Sequence, residues 1–84
     1  MIERSEILAL LQEAATKLLG PEAPTLTDDL ELGTDSIDSL ELIEVMIEVE
    51  DRVGVRFDED EFDGVTTVGA LVDILENHLR TVHV

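Results

Sequence analysis

The 84-residue sequence contains no cysteine and only two aromatic residues, Phe57 and Phe62. Without cysteine the chain has no disulfide framework, no thiolate metal site and no thiol nucleophile. This composition suits a reducing compartment, and we expect the cytoplasm. A chain of this length forms one small domain, residues 1–84, that buries roughly 60–65% of its unfolded surface. The hydrophobic core is therefore expected to be thin.

Positive charge is scarce. Five Lys and Arg oppose 21 Asp and Glu, which gives a formal net charge of −16. The basic residues are scattered along the chain at Arg4, Lys17, Arg52, Arg56 and Arg80. Such a field opposes binding to nucleic acid or to anionic lipid and favours protein partners with basic surfaces. Because 44% of the residues are hydrophobic, the charge belongs to the surface of a folded domain and not to a disordered acidic tail.

Long hydrophobic runs are also missing. The longest uninterrupted apolar run, Ile7 to Leu11, is far too short to span a bilayer. The N-terminal sequence MIERSEIL has no basic region followed by an apolar core. We therefore expect neither a membrane segment nor a signal peptide.

Apolar residues recur with helical spacing in three segments, and none alternates with the period of a strand. The pattern predicts an all-α fold, a small bundle of three main helices plus one short helix. The expected elements are helix one at about 4–19, a long loop at 20–35, helix two at about 36–53, a short helix at about 59–63 and a last helix at about 67–80.

Helix two carries more apolar residues than one face can hold. On a helical wheel Leu40, Ile43 and Ile47 form one flank of a broad apolar arc, and we expect this helix to be central, with neighbours on more than one side. Four carboxylates form a stripe on the remaining arc: Glu41, Glu44, Glu48 and Asp51. Ile37 falls in line with this stripe and is therefore expected to be exposed.

Ser36 lies where the loop gives way to helix two. One interpretation is a plain helix cap, with Asp35 as its neighbour, because serine and aspartate accept hydrogen bonds from the first amides of a helix. Catalysis by a serine triad is not supported, since the two histidines, His78 and His83, lie near the C-terminus.

The acidic run DEDEFDG does not fit a calcium loop. Counting from Glu59 places Gly64 sixth, as such a loop requires, but Ala70 falls where the twelfth-position glutamate should be. A metal site built on His78 and His83 lacks further ligands. We therefore expect no specific metal site.

The stretches LGTDSIDSLEL and GVTTVGALVDIL, with the acidic helix between them, resemble the acyl carrier protein family, in particular its freestanding type II members. The resemblance covers roughly residues 26 to 76. It implies that Ser36, preceded by Asp35, carries 4′-phosphopantetheine donated by coenzyme A. The chain would then be a carrier and not an enzyme, because the cofactor and the partner enzymes perform the chemistry.

The resemblance also implies partners and a cargo. A phosphopantetheinyl transferase would modify Ser36, and acyltransferases, ketosynthases and other acyl-processing enzymes with basic patches would bind a monomeric carrier. The expected recognition residues are Asp35, Ile37, Asp38, Glu41, Glu44 and Glu48. Leu42, Met46 and Ile47 are candidates for sheltering an acyl chain of fatty acid or polyketide biosynthesis, although each can also be ordinary core.

Two other functions remain open. An aminoacyl or peptidyl carrier of a nonribosomal pathway would share the attachment chemistry, although such carriers more often have His-Ser where this sequence has Asp35-Ser36. A non-catalytic acidic interaction module would explain the charge, but it would not need a serine at this junction.

Overall fold

The structure is a computed structural model that describes residues 3–33 and 37–82. Three α-helices account for most of it: α1, Arg4–Leu19; α2, Ser39–Val53; and α3, Val68–Val82. A 3-10 turn, Gly20–Glu22, follows α1, and a second 3-10 helix, Glu59–Phe62, lies between α2 and α3. We call the latter the acidic 3-10 helix. The described residues contain no strand, and the all-α expectation is confirmed.

The helix α1 is the central element. It packs against both α2 and α3, whereas no Cα atom of α2 lies within 8 Å of a Cα atom of α3. The central helix is therefore α1, and the expectation that helix two is central is wrong. Beyond its contact with α1, helix two faces Phe57, Phe62 and Leu71 across a cavity. The small side chains Ala14 and Ala15 of α1 are fully buried, which allows neighbouring elements to approach its backbone closely.

The core is formed mainly by one face of each α-helix. Its most fully buried large side chains are Ile7, Leu11, Val49, Val68, Leu71, Val72, Leu75 and Leu79. No charged or polar residue is buried in the part of the chain that the structure describes. The net charge is thus carried at the surface, as the composition implied.

The long connection between α1 and α2 is held to the bundle at several points. The side chain of Gln12 donates a hydrogen bond to the carbonyl of Pro24 (3.0 Å) and accepts one from the amide of Leu26 (2.8 Å). Leu26 itself is buried in the core. These contacts fix the first half of the loop on α1.

The second half of the loop is fixed on the start of α3. Glu31 and Thr67 form an isolated antiparallel bridge, and the amide of Gly69 donates to the carbonyl of Asp28 at 2.8 Å. A Cβ atom at position 69 would lie 2.9 Å from that same carbonyl oxygen, closer than real contacts allow. Glycine is therefore required for this approach of loop and helix.

The first turn of α3 has a side-chain cap. The Thr67 hydroxyl accepts a hydrogen bond from the amide of Ala70 at 3.2 Å. The helix runs from Val68 to Val82, so it starts one residue later and ends two residues later than the sequence pattern indicated.

Candidate functional site

The start of α2 differs from the sequence prediction. The first helical residue is Ser39, and the N-cap is Asp38. The Asp38 carboxylate accepts the amide of Glu41 at 2.8 Å, and the Glu41 carboxylate accepts the amide of Asp38 at 3.1 Å. This reciprocal pair is a capping box. The expected helix start at 36, with Asp35 or Ser36 as the cap, is therefore wrong.

Asp35 and Ser36, the predicted motif residues, lie outside the described residues, as does His83. The residues on either side of the motif are described. The amide of Gly33, which has a φ of 78°, donates to the carbonyl of Ile37 at 2.8 Å. Both ends of the segment that contains Ser36 are therefore joined to each other immediately before α2.

Ile37 is buried, with 3% of its surface exposed, and belongs to the hydrophobic core. The expectation that its side chain is exposed is wrong. The wheel that placed it outward assumed a helix from residue 36, whereas Ile37 precedes the N-cap. Its position before the cap, together with Leu42 four residues after the cap, corresponds to a hydrophobic staple, and both side chains join the same cluster.

Three exposed large apolar residues lie further along α2. Leu40 is 66% exposed, Ile43 48% and Ile47 49%, on one side of the helix. Sequence reasoning placed these residues in the apolar arc and missed their exposure. Periodicity gives the width of the arc but not which part of it the other elements cover; the one signal in the sequence was the small size of the chain, which leaves few neighbours for so broad an arc.

The carboxylates of α2 have different environments. Glu44 and Asp51 are exposed, whereas Glu41 is half-buried in the capping box. Glu48 binds two cations: Arg52 Nε at 3.0 Å and Lys17 Nζ at 3.2 Å. The predicted acidic stripe is thus continuous along the helix, but two of its members are engaged in contacts within the chain.

The Glu48 side chain belongs to a network between α1 and α2. Its carboxylate is 16% exposed, and Arg52 also binds Glu13 on α1 at 2.8 Å. Hydrogen bonds from Arg52 and then Lys17 lower the pKa of Glu48 below its ordinary value. Two acids and two bases cancel here, so this network carries no net charge.

A cavity of about 410 Å³ lies beside the opposite flank of α2, within the range typical of ligand pockets. Six residues of α2 line it: Ser39, Leu42, Ile43, Met46, Ile47 and Glu50. Phe57, Phe62, Asp63 and Leu71 complete the lining. The expected positions Leu42, Met46 and Ile47 are all among these residues.

Aromatic contacts support the wall of this cavity opposite α2. The ring of Phe57 packs edge-on against Phe62, with centroids 6.0 Å apart, and against His78 of α3, with centroids 4.9 Å apart. His78 Nδ1 also lies 3.1 Å from the Glu61 carboxylate. The acidic 3-10 helix is therefore attached to α3 through His78, which contacts Phe57 and Glu61, while Phe62 packs on Phe57.

Within residues 3–33 and 37–82, no group of three or more His, Asp or Glu side chains could hold a metal ion. No helix of that part of the chain combines the length and the apolar character needed to cross a membrane.

Comparisons with known proteins agree with the site. The family profile described as "Phosphopantetheine attachment site" matches residues 7–75. The chain is 35% identical over 83 residues to the acyl carrier protein of Acidothermus cellulolyticus, covering 90% of this chain and 92% of that protein. It is 31% identical over 74 residues to the acyl carrier protein of Saccharopolyspora erythraea, covering 87% and 78%.

A third relative is the meromycolate extension acyl carrier protein of Mycobacterium leprae, 29% identical over 76 residues, which cover 89% of this chain and 66% of that protein. No solved structure matches. The predictions of a carrier and of phosphopantetheine as its cofactor are confirmed by the family profile and these relatives. The chain belongs to the acyl carrier protein family, whose members carry phosphopantetheine and are not catalysts.

Proposed function

We propose that this chain carries acyl intermediates as thioesters on a 4′-phosphopantetheine arm attached to Ser36, in fatty acid or polyketide-type biosynthesis. The observation that carries this proposal is the apolar cavity on α2, whose lining begins at Ser39, three residues after Ser36. The lining of the proposed cargo site thus begins close in sequence to the proposed attachment point.

The anchoring of the motif supports Ser36 as the attachment point. Buried Ile37 fixes the C-terminal side of the motif in the core, and its carbonyl binds the amide of Gly33. Because Asp38 already caps α2, the helix does not need Ser36 as a cap. A role as the helix cap therefore does not explain this serine, and this supports its role as the attachment site.

The same geometry changes the electrostatic expectation for the attached phosphate. A helix N-terminus favours an anion, but the Asp38 carboxylate already holds the Glu41 amide at this end of α2. Fewer amides at this end of α2 are therefore free for the phosphate, and we infer that recognition by the transferase contributes to the choice of this serine.

The cavity can hold the cargo without covalent help from side chains. Its central lining is aliphatic and aromatic, so it removes an acyl chain from water through the hydrophobic effect. The phosphopantetheine arm supplies the thiol that holds the acyl group. The protein residues shelter the chain and then release it to a partner enzyme.

We infer that partners dock on the side of α2 that faces away from α1. The docking surface, as we define it, consists of Leu40, Ile43, Glu44, Ile47 and Asp51, all exposed. A partner with a basic patch and a small apolar contact fits this surface, because opposite charges speed the encounter while the apolar contact is buried. The phosphopantetheinyl transferase is the first partner that we assign to it; acyltransferases and ketosynthases would follow.

Only some of the recognition residues expected from the sequence lie on this docking surface. Asp35 lies outside the described residues, and Asp38 and Glu41 form the exposed and half-buried members of the capping box. Glu44 remains an exposed recognition residue. Ile37 is replaced by the isoleucines and the leucine of the docking surface, and Glu48 is assigned to the interface with α1.

The pathway and the setting are part of the proposal. The names of the relatives support acyl cargo over aminoacyl cargo, and one of them names meromycolate extension, a process of that relative. We place the chain in the cytoplasm, as a monomer, on the absence of cysteine and the high negative charge.

The experiment is phosphopantetheinylation followed by intact-mass measurement. The purified apo protein is incubated with coenzyme A and a promiscuous phosphopantetheinyl transferase. We expect a mass gain of one phosphopantetheine group on the wild type and none on Ser36→Ala. Ser39→Ala is the matched control, because Ser39 is exposed and three residues away, and it should be modified normally.

No mass gain on the wild type, or an equal gain on Ser36→Ala, would refute the attachment site. To identify the cargo, the carrier would be captured from its producing cells and its thioesters released and weighed. Fatty or polyketide acyl groups are expected; amino acids or peptides would instead support the nonribosomal alternative.

A further inference from the structure

The cavity is not uniformly apolar along its length. Its α2 lining follows one face of the helix from Ser39 to Glu50, a separation of eleven residue steps, or about 16 Å at ~1.5 Å per residue. Only the first and last of these positions are polar. Between them the α2 lining consists of four large apolar residues: Leu42 and Ile43, and one turn later Met46 and Ile47.

The polar end at Glu50 is held in place. Its Oε2 accepts the amide of Phe57 at 2.7 Å, and the side chain is only 12% exposed. Its Oε1 lies 3.9 Å from Nη1 of Arg56, which is beyond hydrogen-bond distance, and the Arg56 side chain is 85% exposed. A carboxylate has about four acceptor positions, so Oε1 can accept a further donor.

The acyl group is held on the thiol at the end of the arm, so its direction in the cavity depends on where it enters. We take entry past Ser39, the lining residue nearest in sequence to Ser36, which directs the distal end of the chain toward Glu50. A plain alkyl tail that reaches Glu50 would remove water from Oε1 without replacing the lost hydrogen bond, which is unfavourable. A tail that ends in a hydroxyl group would donate a hydrogen bond to the same oxygen.

We propose that Glu50 is a specificity-determining residue of the cavity, which limits plain alkyl chains to the part lined by Met46 and Ile47 and accepts longer chains when their distal end carries a hydrogen-bond donor. This inference rests on the proposed carrier function. It assigns to the chain a preference for acyl groups with a polar distal end.

The test measures the melting temperature of the protein loaded with different acyl groups. A phosphopantetheinyl transferase and acyl-coenzyme A donors install saturated chains from butanoyl to hexadecanoyl, and matching chains with a terminal hydroxyl. Intact mass confirms each loading. While the chain lies in the apolar part of the cavity, each added methylene should raise the melting temperature by up to about 3–6 °C.

For the wild type we expect the melting temperature to stop rising at an intermediate length of saturated chain. Among the longer chains, those with a terminal hydroxyl should raise the melting temperature again. In Glu50→Met the gain should continue with saturated chains, and the hydroxyl should add nothing. Glu50→Gln keeps an acceptor for the Phe57 amide and should retain part of the hydroxyl effect. Glu6→Met, at an exposed position of α1 outside the cavity and the docking surface, is the control and should show the same dependence on chain length as the wild type.

If the melting temperature rises equally with the length of the saturated chain in the wild type and in Glu50→Met, the inference is overturned. If Glu50→Met does not fold, as judged by its helical circular dichroism, the wild type decides alone: equal melting temperatures for long saturated and hydroxylated chains would also overturn it. Failure of the protein to accept any phosphopantetheine would refute the proposed function itself. Normal loading with no dependence on Glu50 would refute only the role of Glu50.

Discussion

The helix α2 has two sides with different properties. Toward α1 it is packed and neutralised: Val45 and Val49 are buried, and Glu48 is bound by Lys17 and Arg52. On the opposite flank it is open, with exposed Ile43 and Ile47 beside a cavity. One helix therefore has one side in the core and another that is open to solvent.

The difference arises from the number of neighbours that α2 has. Since α1 packs against both other helices while α2 and α3 stay apart, only one flank of α2 is covered. Phe57, Phe62 and the acidic 3-10 helix partly close the gap. Apolar residues that a larger protein would bury remain available for a cargo or a partner.

Truncating a side chain should have very different effects on the two sides. Leu11 of α1 is 1% exposed, so Leu11→Ala should lower the free energy of unfolding by about 2–5 kcal/mol. Ile47→Ala, on the open side of α2, should change it by at most about 0.5 kcal/mol. Urea denaturation followed by circular dichroism measures both. Similar losses at the two positions would show that the open side is packed in solution.

The cap of α2 provides the next test. Asp38→Ala removes the acceptor for the Glu41 amide and should cost about 0.5–2 kcal/mol of stability. Ser36→Ala should cost less than about 0.5 kcal/mol, because the helix is capped without it. Thermal unfolding of the two variants compares them directly. A larger loss of stability for Ser36→Ala than for Asp38→Ala would show that Ser36, and not Asp38, caps the helix.

Both sequence successes and errors here have local physical causes. The bounds of α1 match the pattern because one apolar face repeats without interruption until Gly20-Pro21. The start of α2 was misplaced because several acceptors compete for the cap. A capping box needs a Glu or Gln three residues after the cap, and Asp38 is followed at that spacing by Glu41. Ser36 is followed at that spacing by another serine, so it does not fit the motif.

The misplaced cap also explains the error at Ile37, since a wheel cannot describe a residue that precedes the helix. The exposure of Leu40 and Ile43 could not be read from periodicity, because it depends on which helices lie together. The cavity and the contact between Gln12 and the loop are likewise tertiary features. The sequence indicated the chemistry of the site better than the side of the helix on which it lies.

The ion-pair network should make stability depend on pH through Glu48. Because the pKa of Glu48 is lowered, its charged form stabilises the folded state at pH values above 4.5, the ordinary pKa of a glutamate. This contribution is lost as the pH falls through the lowered pKa. Glu48→Gln should therefore melt below the wild type at neutral pH, with a difference that shrinks on acidification. The effect should be small, as for exposed ion pairs, and weaker in high salt. A difference that persists at low pH would contradict the assignment.

The most direct test of the division between the two sides is the kcat/KM of a phosphopantetheinyl transferase on Glu44→Gln and Glu48→Gln, measured at low salt. Both variants lose one negative charge from the same helix, but Glu44 is exposed on the docking surface, whereas Glu48 binds Lys17 and Arg52. The account predicts that Glu44→Gln lowers kcat/KM while Glu48→Gln leaves it near the wild-type value. Equal losses, or a loss confined to Glu48→Gln, would contradict it.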